Sequence, residues 1–240
     1  FELAHQLAQD PQLAEVPRVA FSADAMPDQI HRARDKGFSG YLTKPLDIRA
    51  LLACIVSLAL MVSILLQPSR SRALTAFAAL CGALFAYYLG DFLVVLTAAE
   101  LWLRVAVATG AIVPWVALSF FMEFLGVSAR AAARGRRIAA LGVVMGVVIA
   151  VSPLVERQWA RYLMAAWSFG ALTVTWSLVL GRMRGTSSRV ERQRLLYLAV
   201  GAGGAIAFSA TDELVALGID FPPFGAVVTT LFLFFLAQTL

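Results

Sequence analysis

Long apolar runs dominate this chain from residue 50 to its C-terminus, and they constrain its fold more than any other feature. A helix needs about 20 mostly apolar residues to cross the hydrocarbon core of a bilayer. Runs of roughly that length follow one another, with short polar loops between them. The sequence therefore predicts a mostly α-helical, polytopic transmembrane bundle of about seven helices. The predicted spans are 50–66, 73–96, 103–126, 138–155, 159–180, 195–217 and 224–240.

The composition changes near residue 50, which divides the chain into a segment 1–49 and a membrane domain 50–240. The whole chain is 60% hydrophobic and 15% charged, whereas soluble domains are about 45–50% apolar and about 25% charged. Every Lys and His lies in the first 50 residues. A retinal Schiff base and a bis-His haem site within the spans are therefore excluded. Because no metal-ligand spacing or nucleotide-binding motif occurs either, we expect no cofactor in this chain.

The arginines predict the orientation of the bundle. They concentrate in the loops after the first, third and fifth spans, whereas the loop between the sixth and seventh spans is purely acidic. Cytoplasmic loops carry the excess of Lys and Arg. We therefore expect a multi-pass membrane protein whose C-terminus is cytoplasmic. The basic loops favour the lipid bilayer as partner, with anionic lipid beside them, and not nucleic acid.

Ionisable residues in the spans indicate a candidate site, because charge inside a bilayer is costly and often functional. Asp91 is the most deeply placed, in the second span, and Asp212 lies near the outer end of the sixth. Arg104, Arg157 and Arg161 are their candidate partners. The pattern predicts an outer-side polar site at Asp91, Arg104 and Asp212. Interfacial salt bridges and snorkelling side chains are the alternative interpretation.

Small residues within the spans predict close packing. Gly142 and Gly146 have the GxxxG spacing that lets helix backbones approach each other. Cys54 and Cys81 lie in apolar runs, so we expect buried thiols rather than a disulfide or a metal site.

Residues 1–49 have a different, α/β pattern. Short strands are predicted at 19–21 and 40–42, and between them a helix over 26–36 that Gly37 ends. This alternation is typical of a doubly wound parallel sheet. Residues 17–52 resemble the second half of the receiver domain of two-component response regulators, a flavodoxin-like fold, in the stretch PRVAFSADAMPDQIHRARDKGFSGYLTKPLDIRALL.

The resemblance implies phosphoryl-sensing roles for four residues. In that family a hydroxyl at a strand end and a Lys hold the phosphoryl group, which matches Ser22 and Lys44. The Pro that follows the Lys matches Pro45, and the aromatic switch position matches Tyr41. The acidic pair that binds Mg²⁺ and the phosphate-accepting Asp belong to the family's first half. The segment is therefore a partial receiver, and Mg²⁺ is expected only for a complete receiver domain.

The membrane domain resembles the seven-helix sensor region of certain bacterial histidine kinases, whose last helix leads into a cytoplasmic kinase core. The stretches that carry this resemblance are LLQPSRSRALTAFAALCGALFAYYLGDF, FFMEFLG, ERQRLLYLAVGAGGAIAF and LGIDFPPFGAVVTTLFLFFLAQTL. It implies a membrane-embedded sensor of two-component phosphorelay signal transduction in a bacterial inner (cytoplasmic) membrane, which passes a stimulus inward to a histidine kinase core in cis or in trans. Signalling through paired kinases would require a homodimer. The chain itself is expected to be non-catalytic, as one part of a sensor histidine kinase.

Two alternatives stay open: a small-solute transporter and a passive membrane anchor, each with a stray receiver-like tail. One conflict also stays open, because receiver domains work in the cytoplasm whereas the predicted orientation places residues 1–49 outside. Either residues 50–66 do not span the membrane and continue as the last helix of the receiver, or the join near residue 50, in a chain cut at both ends, is unnatural. We favour the unnatural join.

Overall fold

Seven α-helices form most of the part of the chain that the structure describes. A computed structural model of the chain describes residue 16 and residues 19–22, 32–33, 35–43, 48–69, 71–97, 99–216 and 224–239. A short 3₁₀-helix, Pro153–Glu156, follows the fourth helix. The helices are α1 (Ile48–Leu65), α2 (Arg72–Thr97), α3 (Glu100–Phe124), α4 (Ala129–Val151), α5 (Gln158–Gly185), α6 (Arg189–Ala216) and α7 (Gly225–Thr239).

These helices confirm the prediction of a mostly α-helical bundle. Four segments are long and apolar enough to cross a membrane: α2, α3, α5 and the part of α6 from Arg189 to Asp212. α1 and α7 are apolar but shorter, and α4 begins with an Arg-rich stretch. The structure is therefore compatible with a membrane protein, while a count of seven crossings stays a prediction.

The helices extend beyond the predicted apolar runs at their Arg-rich ends. α4 begins at Ala129, nine positions before the predicted span, and α5 continues to Gly185. Arg and Ala are good helix formers, so the backbone stays helical after the hydropathy falls.

At the other end of α4, the Ser152 hydroxyl accepts a hydrogen bond from the Leu154 N–H at 3.3 Å, and Pro153 begins the 3₁₀-helix.

Six helices close a ring in the order α1, α2, α3, α5, α6 and α7, because α1 and α7 also contact each other. α4 lies outside this ring and packs mainly on α3. Its outer face is apolar and exposed, as shown by Leu141 at 70% and Val151 at 73% exposure. An apolar surface of this kind is one that a bilayer would cover.

The two glycines of the GxxxG spacing both face neighbouring helices of the same chain. A β-carbon at Gly142 would collide with the Trp167 ring of α5. At Gly146 it would collide with Ala111 of α3 and lie 3.0 Å from the terminal methyl of Met164. The predicted close packing is therefore confirmed, and it fixes α4 against the ring.

The hydrophobic core lies toward the Arg-rich ends of the helices. Phe77 and Phe120 are fully buried, and their ring centroids are 5.5 Å apart. The Arg194 guanidinium lies 5.2 Å from the centroid of the Phe124 ring, at the edge of this core. Cys54 and Cys81 are buried free thiols, as expected.

A two-stranded parallel sheet precedes the helices. β1 (Val19–Ser22) pairs with β2 (Gly40–Thr43), and Val19 lies opposite Gly40. Both predicted strands are confirmed, and Gly37 has the positive φ of 82° that suits a helix end. Among the described residues these two strands form the whole sheet, so no flavodoxin-like fold is shown there. The receiver assignment of residues 1–49 stays a prediction.

Candidate functional site

A cavity of about 360 Å³ lies inside the ring of helices. Most of its lining comes from α2, α3, α5, α6 and α7, and Ile149 of α4 and Val155 of the 3₁₀-helix complete it. Leu80, Phe121, Val179 and Leu233 belong both to the cavity wall and to the hydrophobic core, so the core forms the floor. Small-molecule sites in proteins typically measure about 300–1,000 Å³ and are mostly apolar with a few polar groups. The size and lining of the cavity suit a ligand of that kind.

The charged side chains of the cavity come from the helix ends opposite the Arg-rich loops. Asp91 lies in the last third of α2, Arg161 in the first turn of α5 and Asp212 near the end of α6. Asp91 and Arg161 are exposed, whereas Asp212 is half-buried. The cavity therefore has an apolar floor and a charged mouth.

Asp212 also fixes the beginning of α7. Its Oδ1 accepts a hydrogen bond from the backbone N–H of Gly225 at 2.9 Å, and Thr211 Oγ1 accepts one from the N–H of Phe224 at 3.0 Å. The first N–H groups of a helix lack intrahelical partners and carry the positive end of the helix dipole. A carboxylate from α6 therefore stabilises the first turn of α7.

Glycine at position 225 allows this close approach. A β-carbon there would lie 2.7 Å from the Cα of Ser209 and would also collide with the Asp212 carboxylate. A backbone atom cannot move aside as a flexible side chain can. Any larger residue at position 225 would therefore push α7 away from α6.

Hydroxyl groups connect three helices beside the two carboxylates. Ser209 Oγ on α6 lies 3.4 Å from Thr229 Oγ1 on α7. The buried Tyr88 of α2 lies close to the Thr229 side chain and within electrostatic range of Asp91 and Asp212. Because buried polar groups are costly without partners, these contacts favour one arrangement of α2, α6 and α7.

Aromatic side chains form much of the remaining wall. The Trp176 indole N–H donates a hydrogen bond to the Ala199 carbonyl at 2.8 Å and so joins α5 to α6. At the mouth, Gln158 donates to the Tyr162 hydroxyl, one turn further along α5. The aromatic residues of the lining are Tyr87, Tyr88, Phe121, Tyr162, Phe169, Trp176 and Phe232.

Asp91 and Asp212, two of the three residues predicted to form the outer-side polar site, line the same cavity. Arg104 lies elsewhere, where its guanidinium binds Glu100 and donates hydrogen bonds to the carbonyls of Ala150 at 2.7 Å and Ser152 at 3.3 Å. It thereby fastens the end of α4 to α3.

The other two candidate cations also differ in position. Arg161 lines the mouth of the cavity, whereas Arg157 is exposed as the N-cap residue of α5. Hydropathy could not separate these three arginines, because each flanks an apolar run in the same way. The packing of their helices separates them.

Sequence reasoning missed the uncharged polar members of the site. Tyr88 lies three residues before Asp91, and Ser209 lies three residues before Asp212. Residues three apart on a helix share a face, so this spacing was a usable signal. Thr229 and Trp176 had no comparable signal, because neither lies three or four residues from a charged residue.

The phosphoryl-sensing residues of the receiver resemblance are only partly described. Ser22 ends β1 opposite Thr43, the last residue of β2, and Tyr41 lies opposite Ala20. Lys44 and Pro45 lie outside the described residues. The four residues therefore cannot be assembled into a site.

Comparison with protein-family models, with curated proteins and with solved structures found no match. Among the residues that the structure describes, no three His, Cys, Asp or Glu side chains are grouped so that they could hold a metal ion. The geometry and chemistry of the cavity are therefore the basis for assigning a function.

Proposed function

We propose that this chain is the membrane-embedded sensor region of a bacterial two-component phosphorelay, which passes a stimulus inward to a histidine kinase core in cis or in trans. The hydrogen bond between Asp212 and the N–H of Gly225 carries this proposal. It joins a residue of the cavity wall directly to the first turn of α7, the last described helix. What occupies the cavity and where α7 sits are therefore coupled.

The coupling follows from the charge at the helix end. A ligand that interacts with the Asp212 carboxylate competes with the Gly225 N–H for the same oxygens, and this weakens the attachment of α7 to α6. The contact between Ser209 of α6 and Thr229 of α7 opposes the movement, and so does the contact of α7 with α1. Helix shifts of about 1–2 Å are a common form of transmitted signal. α7 would carry such a shift to the cytoplasmic side in the predicted orientation.

A ligand shifts this balance only by its difference in affinity for the two states. Moving the population from 1:99 to 99:1 requires about 10⁴-fold tighter binding to one state. The cavity lining supplies that difference, because contacts between the ligand and α7 are kept in one position of the helix and lost in the other. A second copy of the chain would place two α7 helices side by side, and each would lead to one kinase core of the pair.

A fusion of a histidine kinase core behind Thr239 tests the proposal through autophosphorylation in membrane vesicles. We expect Asp212→Ala to change basal autophosphorylation several-fold, since it releases the start of α7, and Glu156→Ala to leave it unchanged. Glu156 is an exposed carboxylate on the 3₁₀-helix, outside the cavity lining.

Two results would replace the proposal with its alternatives. Unchanged signalling after the whole bundle is exchanged for an unrelated membrane anchor would show a passive tether. Substrate flux in proteoliposomes that Asp91→Asn abolishes would show a transporter. The receiver-like segment 1–49 would then be a tail without a role in the membrane.

A further inference from the structure

We infer that the cavity binds a small organic cation, an ammonium with an apolar body, whose nitrogen lies between Asp91 and Asp212 at the mouth. This inference deepens the proposed function and rests on it for the ligand's signalling role. The binding itself depends only on the cavity.

The charge balance of the lining favours a cation. Among the described residues, the charged groups that line the cavity are two carboxylates and one guanidinium. The lining therefore carries an excess of one negative charge. The membrane domain contains no Lys or His that would offset it. Low-dielectric walls strengthen the field of such groups inside a cleft. An anion that enters the mouth would be repelled by the two carboxylates and attracted by the Arg161 guanidinium alone among these three groups.

Asp212 both lines the mouth of the cavity and caps α7. A cation at the mouth attracts its carboxylate, because opposite charges attract strongly beside low-dielectric walls. This attraction opposes the bond from the Gly225 N–H to Oδ1 and so loosens the cap.

Aromatic rings surround the path from the mouth to the floor. Tyr87 and Tyr88 of α2 and Tyr162 of α5 lie within one helical turn of the charged residues, and Trp176 lies deeper. Faces of Trp and Tyr attract ammonium groups, and most strongly where water is excluded. A hydrated inorganic cation gains little from such rings, whereas an alkyl- or aryl-ammonium gains from both the rings and the carboxylates.

The floor accepts the apolar part of the ligand. It consists of core side chains, including Leu80, Phe121 and Leu233, which are each no more than 4% exposed and line the cavity. A polar group placed there would be desolvated without a partner, which is unfavourable. The cavity thus selects a molecule with one charged end and one apolar end.

Calorimetric titration of the full chain with benzyltrimethylammonium, in the neutral detergent dodecyl maltoside, tests the inference. We expect saturable binding that Asp91→Asn and Asp212→Asn each weaken by about tenfold, because each removes one opposing charge at short range. Asn keeps the shape and an acceptor oxygen. Glu156→Gln is the matched control and should bind as the parent does. Phenylacetate, an anion of similar size, should bind at least tenfold more weakly.

Arg161→Gln distinguishes a true charge effect from damaged folding. It removes the like charge at the mouth, so we expect it to tighten binding of benzyltrimethylammonium by about tenfold. A misfolded variant would not gain affinity. Absence of saturable cation binding, equal affinity for phenylacetate, or unchanged affinity in both Asn variants would each overturn the inference.

The kinase fusion separates this inference from the proposed function. Suppose that the cation binds but does not change autophosphorylation, and that Asp212→Ala does not change it either. The signalling role would then be removed, whereas the ligand class would stand. If instead Asp212→Ala changes autophosphorylation but the protein does not bind the cation, the signalling role would stand and the ligand class would be wrong.

Discussion

The side chain of Asp212 on α6 accepts a hydrogen bond from the backbone N–H of Gly225, the first residue of α7, at 2.9 Å. Helix N-termini are usually capped by the residue that precedes them. Here the cap comes from the neighbouring helix, so the position of α7 depends on a residue that also faces the cavity. This relationship underlies both the proposed mechanism and the first prediction.

Replacing Asp212 tests the cap energetically. We expect Asp212→Ala to lower the free energy of unfolding by about 1–2 kcal/mol, the usual effect of losing a capping side chain. Asp212→Asn should lose less, because its amide oxygen still accepts from Gly225. Thermal unfolding in dodecyl maltoside, followed by circular dichroism, measures the difference. An Asp212→Ala protein as stable as the parent, with Glu156→Ala as reference, would contradict the cap.

Two glycine-to-alanine changes test the packing of α4. Gly142→Ala places a methyl group against the Trp167 ring, and such overpacking costs about 1–3 kcal/mol. At Gly170 on α5, no atom lies within 4 Å of the position that a β-carbon would occupy, so Gly170→Ala should gain up to about 1 kcal/mol from helix propensity. Unfolding midpoints of the two variants should therefore move in opposite directions. A shift of both in the same direction would disprove the contact.

The bond between Trp176 and Ala199 predicts a measurable link between α5 and α6. Trp176→Phe keeps an aromatic ring but loses the donor, so we expect a loss of about 0.5–1.5 kcal/mol in unfolding free energy. Trp159→Phe is the matched control, because Trp159 is 54% exposed at the start of the same helix. Equal stability of the two variants would show that the hydrogen bond contributes nothing.

We expect Arg104 to stabilise the fold mainly through its hydrogen bonds to the two carbonyl groups, and less through its ion pair with Glu100. Arg104→Ala leaves the Ala150 and Ser152 carbonyls without this donor, and hydrogen bonds to charged groups contribute about 1.5–3 kcal/mol. Glu100→Gln weakens only an ion pair whose Glu side chain is 55% exposed, so its effect should stay below about 1 kcal/mol. Denaturant titrations of both variants compare the two losses. A larger effect of Glu100→Gln would reverse this assignment.

Reporter fusions test the predicted orientation. A reporter active only in the cytoplasm should be active after Gly185 and after Thr239, and inactive after Lys44 and after Glu156, because the Arg-rich loops are retained inside. The measurement is reporter activity normalised to fusion protein in the membrane. Strong activity after Lys44 would disprove the assignment of the first span.

Hydropathy sufficed to locate the helices of this protein. Each predicted span overlaps one observed helix, because helix formation in an apolar run is a local property of the backbone. The ends were less accurate, as at Ala129, since Arg-rich segments continue a helix without contributing to hydropathy. The two strands at Val19–Ser22 and Gly40–Thr43 were also recognisable from short apolar runs between turn signals.

The sequence by itself thus determined the approximate bounds of the seven described helices, the asymmetry of the arginines and the candidate carboxylates. Only the tertiary structure decided that Asp91 and Asp212 share a cavity with Arg161, while Arg104 fastens α4. The physical reason is rotation about the helix axis. These helices are apolar on most faces, so their patterns do not specify which face turns inward. Contacts such as Gly142 with Trp167 and Gly225 with Asp212 fix that rotation, and with it the site.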